Sequence, residues 1–150
     1  MHRLVASWFG TGLILRRLRG ADEGSGTVGA AFAMLIWWAL SDLGWPAQAL
    51  SVVIVTALSV WSARPFSDEH ADPAWVVVDE AAGALLATIG LTGPAALIGW
   101  LVFRAADIMK TRFPGVAQAE ALPGSIGVTA DDLVAGLYGL AAGWLFHVLT

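Results

Sequence analysis

The chain has 150 residues, of which 57% are hydrophobic and only 13% charged, and its mean hydropathy is +0.71. A water-soluble domain usually carries about 25% charged residues, so the composition reads as one integral membrane domain. A net charge of −4 offers no footing for nucleic acid, and the lack of Cys excludes disulfides, thiolate nucleophiles and thiolate metal sites.

The first stretch, MHRLVASWFGTGLILRRLRG, sets a charge before an apolar run. It has no small-residue cleavage site, and three Arg follow the run. This predicts an interfacial or partly buried helix over 4–18 rather than a removed signal peptide. A second helix is expected over 28–43, stopping at the GWP of 44–46, and a third over 47–63, ending before Pro65. The polar loop SARPFSDEHADP, 62–73, follows; its Asp68, Glu69 and His70 read as solvated. A fourth helix begins near Val77 and breaks at GLTGP, 90–94. A fifth runs over 94–112 with Pro in its first turn. The sixth is expected over 129–149, with Thr129 as cap and Asp131 and Asp132 in the favourable first turn. Eight Trp suit rings at a lipid interface, although Trp also fills cores.

The fourth helix is short. Thirteen residues rise about 20 Å, against a hydrocarbon core of roughly 30 Å. A broken hairpin over about 77–112 that returns to its starting face is therefore expected, its break covered by other helices. Following the chain through that hairpin puts Arg3, Arg16, Arg17, Arg19, Arg64, Arg104, Lys110 and Arg112 on one side, which is every Lys and Arg. Of the twelve Asp and Glu, only Asp42 falls on the other. The positive-inside rule makes the charged side cytoplasmic. The Arg16, Arg17 and Arg19 cluster reads as a topology or headgroup anchor.

Polar clusters gather on that face. They are the glycine-rich FGTG (9–12) and SGTVG (25–29), the pair Asp79 and Glu80, the run RAADIMK with Arg104, Asp107 and Lys110 three apart, and TADDLVAG with Asp131 and Asp132. Steps of three place Arg104 beside Asp107 and Asp107 beside Lys110 on one helix face. Burying bare carboxylates is costly, and here Asp79, Glu80, Asp107, Asp131 and Asp132 outnumber Arg104 and Lys110. A hard divalent cation would neutralise the surplus, and Mg²⁺ suits oxygen donors with phosphate and water. The two cations would then hold a phosphate, which is the chemistry of metal-assisted phosphoryl hydrolysis. Other uses stand beside this one. Asp131 stands open between helix-dipole partner and ligand. One member of each adjacent carboxylate pair is expected to face outward, with Glu80 and Asp132 favoured as inward. Glycines at i+3 or i+4 serve close packing as readily, and Gly26 and Thr27 form a helix start suited to phosphate.

On these motifs the sequence resembles the phosphatidylglycerophosphatase A family, over about residues 6–144 and with the motifs in the family's order. DPAWVVVDEAAG resembles its Asp-Glu helix start, FRAADIMK its Phe-Arg-x-x-Asp-x-x-Lys segment, and GSIGVTADDLVAG its Asp-Asp segment. WFGTGL and SGTVGA resemble its two glycine motifs. Ser25 and Thr111 stand where the family usually has Pro. The resemblance implies an all-α membrane enzyme that uses Mg²⁺ to convert phosphatidylglycerol phosphate to phosphatidylglycerol and inorganic phosphate at the cytoplasmic face of a bacterial membrane. It implies a site of Asp79, Glu80, Arg104, Asp107, Lys110, Asp131 and Asp132. Asp79, Glu80, Asp107 and Asp132 would carry the metal, and Arg104, Lys110, Gly26 and Thr27 the phosphate. Two rivals remain: a small transporter or cation-binding subunit, which would place charge at mid-membrane in paired broken helices, and an inactive relative, against which retention of all seven charged positions counts.

Overall fold

In the computed structural model of the chain, residues 1–67 and 73–150 are described; the expectation for Asp68, Glu69 and His70 lies outside them. The described residues are helical and contain no strand. In chain order they form α1 (His2–Ala6), α2 (Ile14–Arg19), α3 (Ser25–Ala39), α4 (Trp45–Ala63), α5 (Val78–Ala87), α6 (Gly93–Ile108), α7 (Val116–Glu120) and α8 (Gly124–Leu149), with single 3-10 turns at Thr11–Leu13, Ser41–Leu43 and Lys110–Arg112.

That is eight α-helices among the described residues where six were expected, and the differences have local causes. The helix expected over 4–18 breaks because Trp8, Phe9 and Gly10 take positive φ. The break frees the Ala6 carbonyl to accept the Val77 N–H, at 2.9 Å, which ties the N-terminal segment across the entry to α5. A Cβ at Gly12 would overlap the Trp75 carbonyl, so this glycine motif serves packing. The last helix starts at Gly124, five residues earlier than expected. Asp131 and Asp132 thus lie inside α8 rather than in its first turn, and Thr129 is no cap: its hydroxyl donates to the Ser125 carbonyl, at 3.0 Å. Since that uses the Thr129 proton, Ser59 of α4 donates the 2.7 Å bond joining the two hydroxyls.

The core is built of small side chains. Ala81, Ala82, Ala84, Ala87, Ala106 and Ala135 are fully buried, and glycines set the closest crossings. A Cβ at Gly83 of α5 would strike the Phe103 ring and stand 2.7 Å from the Asp132 carbonyl, and one at Gly136 of α8 would stand 2.8 Å from the Gly83 carbonyl. Backbone-close approach of this kind is how small residues join helices where water does not drive packing. It also draws the first turn of α5 beside the middle of α8.

Helices α5 and α6 form the expected hairpin. Ten residues carry α5 about 15 Å before the chain turns through Gly90, at φ +70°. Three other helices satisfy the turn's backbone. Gln48 of α4 accepts the Gly90 N–H at 2.6 Å. Trp144 of α8 donates to the Ile89 carbonyl at 3.1 Å, and Trp37 of α3 donates to the Leu91 carbonyl at 3.2 Å. Two helices, α4 and α8, are long and apolar enough to cross a membrane, and α3 is apolar but shorter.

Candidate active site

The hairpin returns the end of α6 to the end of the bundle where α3 and α5 begin, and there the charged residues meet. Two groups of carboxylates form, and Asp132 belongs to both. Oxygens of Asp79, Glu80 and Asp132 lie within 4.8 Å of one another, as do oxygens of Asp107, Asp131 and Asp132. Neither adjacent pair splits between inside and outside as expected. Asp79 is 2% exposed, and Asp131 and Asp132 are each 3% exposed. Glu80 is half-buried yet turns a buried Oε2 inward. The Glu80 N–H donates to Asp79 Oδ1 at 3.0 Å, so the bend at the start of α5 aims both carboxylates at α8.

One of the two cations follows the sequence spacing and the other departs from it. Arg104 pairs with Asp107 one turn on, Nη1 to Oδ2 2.5 Å, with both side chains about nine-tenths buried. Its Nη2 donates to Thr27 Oγ1 at 3.3 Å. Lys110 does not continue along the same helix face, because α6 ends at Ile108 and Lys110 sits in the following 3-10 turn. There it bonds Asp131 Oδ2 at 2.5 Å and Glu120 Oε1 at 2.7 Å. Burial opposes its charge, but hydrogen bonds and attraction from Asp131 and Glu120 outweigh that and raise its pKa above the ordinary 10.5. The ammonium therefore stays charged throughout the neutral range. Glu120 is the site neighbour that the sequence reading missed. It sits on α7, ten residues beyond Lys110, and no helical spacing links the two.

Gly26 has a steric role. A Cβ there would overlap Glu80 Oε1 and stand 3.2 Å from Arg104 Nη2. Only glycine lets α3 approach the carboxylate and guanidinium together, with Thr27 exposed beside them. Gly26 and Thr27 thus border the cluster, while Arg16 lies apart in a surface pair with Asp22 at 3.6 Å.

The charge balance remains negative. Several buried oxygens have no hydrogen-bond partner among the described residues: Glu80 Oε2, Asp131 Oδ1 and Asp132 Oδ1. Buried polar atoms are seldom left unpaired, and buried carboxylates need a compensating charge. Hard oxygen donors converging from three directions fit a divalent cation, and the acidic clusters can hold one. The site's anatomy matches a comparison over nearly the whole sequence: the family model for phosphatidylglycerophosphatase A covers residues 4–147. The chain belongs to that family. A relative from Bacteroides thetaiotaomicron, provisionally named a phosphatidylinositol-3-phosphatase, is 32% identical over 147 residues, covering 90% of this chain and 86% of the relative. No solved structure matches the chain significantly. Family and relative together support phosphatase activity on a lipid phosphate.

Proposed function

We propose that the chain is a single membrane-embedded domain that hydrolyses phosphatidylglycerol phosphate to phosphatidylglycerol and inorganic phosphate with Mg²⁺, at the cytoplasmic face of a bacterial membrane. The observation that carries this reading is the pair of carboxylate groups sharing Asp132, set against Arg104 and Lys110 at one end of the bundle. Asp79, Glu80, Asp107 and Asp132 would hold the metal, with Asp131 divided between that cluster and Lys110. Bound there, Mg²⁺ supplies charge stabilisation at the phosphoryl oxygens and an acidified water.

The chain's own groups do the rest. Arg104 is held by Asp107 and Thr27 so that its guanidinium faces the cluster, where it stabilises charge gathering on the transferred phosphoryl oxygens. Lys110 keeps its proton and acts as a fixed positive charge that also positions Asp131. Thr27, exposed at the rim, offers a hydroxyl to a phosphate arriving from outside. Gly26 keeps the approach open.

Membrane embedding is supported by α4 and α8 and by large apolar side chains turned outward, among them Leu35, Trp38, Val53, Leu97, Leu137 and Leu145. Such extended apolar surface marks contact with lipid or protein rather than water. The carboxylates sit at one end of the bundle, away from the hairpin turn, as a phosphatase acting at the membrane surface requires and a mid-membrane transport site does not. The relative's name introduces a second lipid phosphomonoester. Phosphate release from phosphatidylglycerol phosphate, phosphatidylinositol 3-phosphate and phosphatidic acid, measured in mixed micelles, separates the substrates. Preference for the first is expected. Equal or better turnover of the inositol lipid would move the assignment to it, and no release from any would reject a phosphatase.

A further inference from the structure

Helix α3 packs chiefly on α5, and α6 chiefly on α8, so α3 and α6 stand side by side over α5 without closing on each other. Between them lies an open groove of about 380 Å³ lined by Ala31, Met34, Trp37, Ala96, Leu97 and Trp100, almost wholly apolar. The volume falls in the range of sites that hold small ligands. Its place is set by the helix repeat. Ala31 is four residues beyond Thr27, and Trp100 is four before Arg104, so the groove begins one turn beneath the Thr27–Arg104 hydrogen bond. From there it runs about 10 Å toward the hairpin turn.

Both ends are fixed. Trp100 of α6 donates to the Ala30 carbonyl of α3 at 3.2 Å, and Trp37 of α3 donates to the Leu91 carbonyl in the hairpin turn just before α6, so one indole joins the two helices and the other joins α3 to the turn that starts α6. Leu97 is 55% exposed and Ala31 across the groove is exposed as well, so the open side faces outward, toward lipid in a membrane-embedded chain.

We infer that the groove between α3 and α6 holds an acyl chain of the lipid phosphate substrate, directly beneath its phosphate at Arg104 and Thr27. The inference rests on the lipid phosphatase reading above. A cationic and hydroxylic head above an apolar slot is complementary to a phospholipid, whose charge sits at one end and whose chains run away from it. A second, larger groove of about 680 Å³ lies between α4 and α8. It too carries a cation and a hydroxyl, Arg64 and Thr56, but on the α8 side it is lined by Leu133 and Val134, whereas Asp131 and Asp132 turn toward α5 and α6, so it does not open onto the carboxylates. In a bilayer the chain gains little from leaving lipid, since both surroundings are apolar. The groove therefore acts through packing and orientation, fixing the phosphate ester relative to the cluster.

The test compares dipalmitoyl with dibutyryl phosphatidylglycerol phosphate. Ala31→Trp fills the groove without touching the cluster. It should raise KM for the dipalmitoyl lipid roughly 10-fold, the effect of a misfit in an apolar pocket, while kcat and the dibutyryl kinetics hold. Val53→Trp, in the other groove, should match the unmodified chain. Unchanged kinetics in Ala31→Trp on both lipids, or an equal loss on both, overturns the assignment. Independently of turnover and of that variant's folding, a lipid phosphate with a diazirine in its acyl chain should crosslink within residues 31–37 and 93–100 of the unmodified chain, and that labelling should be lost in Arg104→Ala. Labelling confined to α4 and α8, or spread evenly over every apolar face, overturns it too. Crosslinking in the groove without phosphate release would leave the inference standing and remove the phosphatase reading.

Discussion

Asp132 is the residue on which both carboxylate groups depend, and its substitution should be the most damaging. Asp132→Asn keeps the size and removes the shared charge. Turnover should fall by at least about 10²-fold, comparable to losing a group that acts directly in the transition state, and metal affinity measured by calorimetry should fall with it. Arg104→Ala should lose a similar factor in turnover, yet its metal affinity should hold or rise, because a nearby positive charge has gone. If Arg104 served only as the structural partner of Asp107, the single variant would be destabilised and Asp107→Asn would partly restore it. Thermal unfolding of both singles and the double variant separates the two roles. Glu120 gives a graded comparison. Its side chain is 54% exposed, and surface ion pairs contribute about 0–1 kcal/mol. Glu120→Gln should therefore change turnover far less than Asp131→Asn, whose carboxylate is buried against the same lysine.

At the scale of the helices, the α5–α6 hairpin depends on the groups that satisfy its turn. Gln48→Leu removes the acceptor of the half-buried Gly90 N–H, a loss bounded above by the roughly 1–3 kcal/mol of a fully buried unsatisfied donor. Thermal stability should fall by up to that much, while kcat at a permissive temperature stays near the unmodified value, because the turn lies at the opposite end from the carboxylates. Gly83→Ala should do more: its Cβ would meet Phe103 and the Asp132 carbonyl, so stability and turnover should drop together. Much of this arrangement was readable in the sequence. The short fourth helix, the break at 90–94 and the excess of carboxylates over cations pointed to a hairpin and a charged cluster, since length and charge count need no tertiary knowledge. What escaped depended on contacts distant in sequence. The break after α1 comes with positive φ at Trp8, Phe9 and Gly10 and is tied down by Ala6 accepting from the distant Val77, and Lys110 leaves Asp107 for Asp131 because α6 ends two residues earlier. The early start of α8 was hidden by Pro123 before it and Gly124 at its first position, which read as loop, and it turned two supposed helix-start carboxylates into buried ones.

For the whole molecule, the proposed topology puts both connections flanking the hairpin on the face of the carboxylates. Single cysteines at Ser67 and Gln118, in a chain that has none of its own, should both react with a membrane-impermeant thiol reagent from the cytoplasmic side. Reaction of either only from outside would reject the hairpin as a return to one face. The broader claim is that this bundle uses its shared carboxylate cluster to bind a divalent cation and release phosphate from a membrane lipid. Phosphate release from phosphatidylglycerol phosphate by the purified chain, followed as chelator is added and Mg²⁺ then restored, tests it most directly. Activity should vanish with chelator, return with Mg²⁺, and fail to return in Asp132→Asn. Full activity in excess chelator would contradict it.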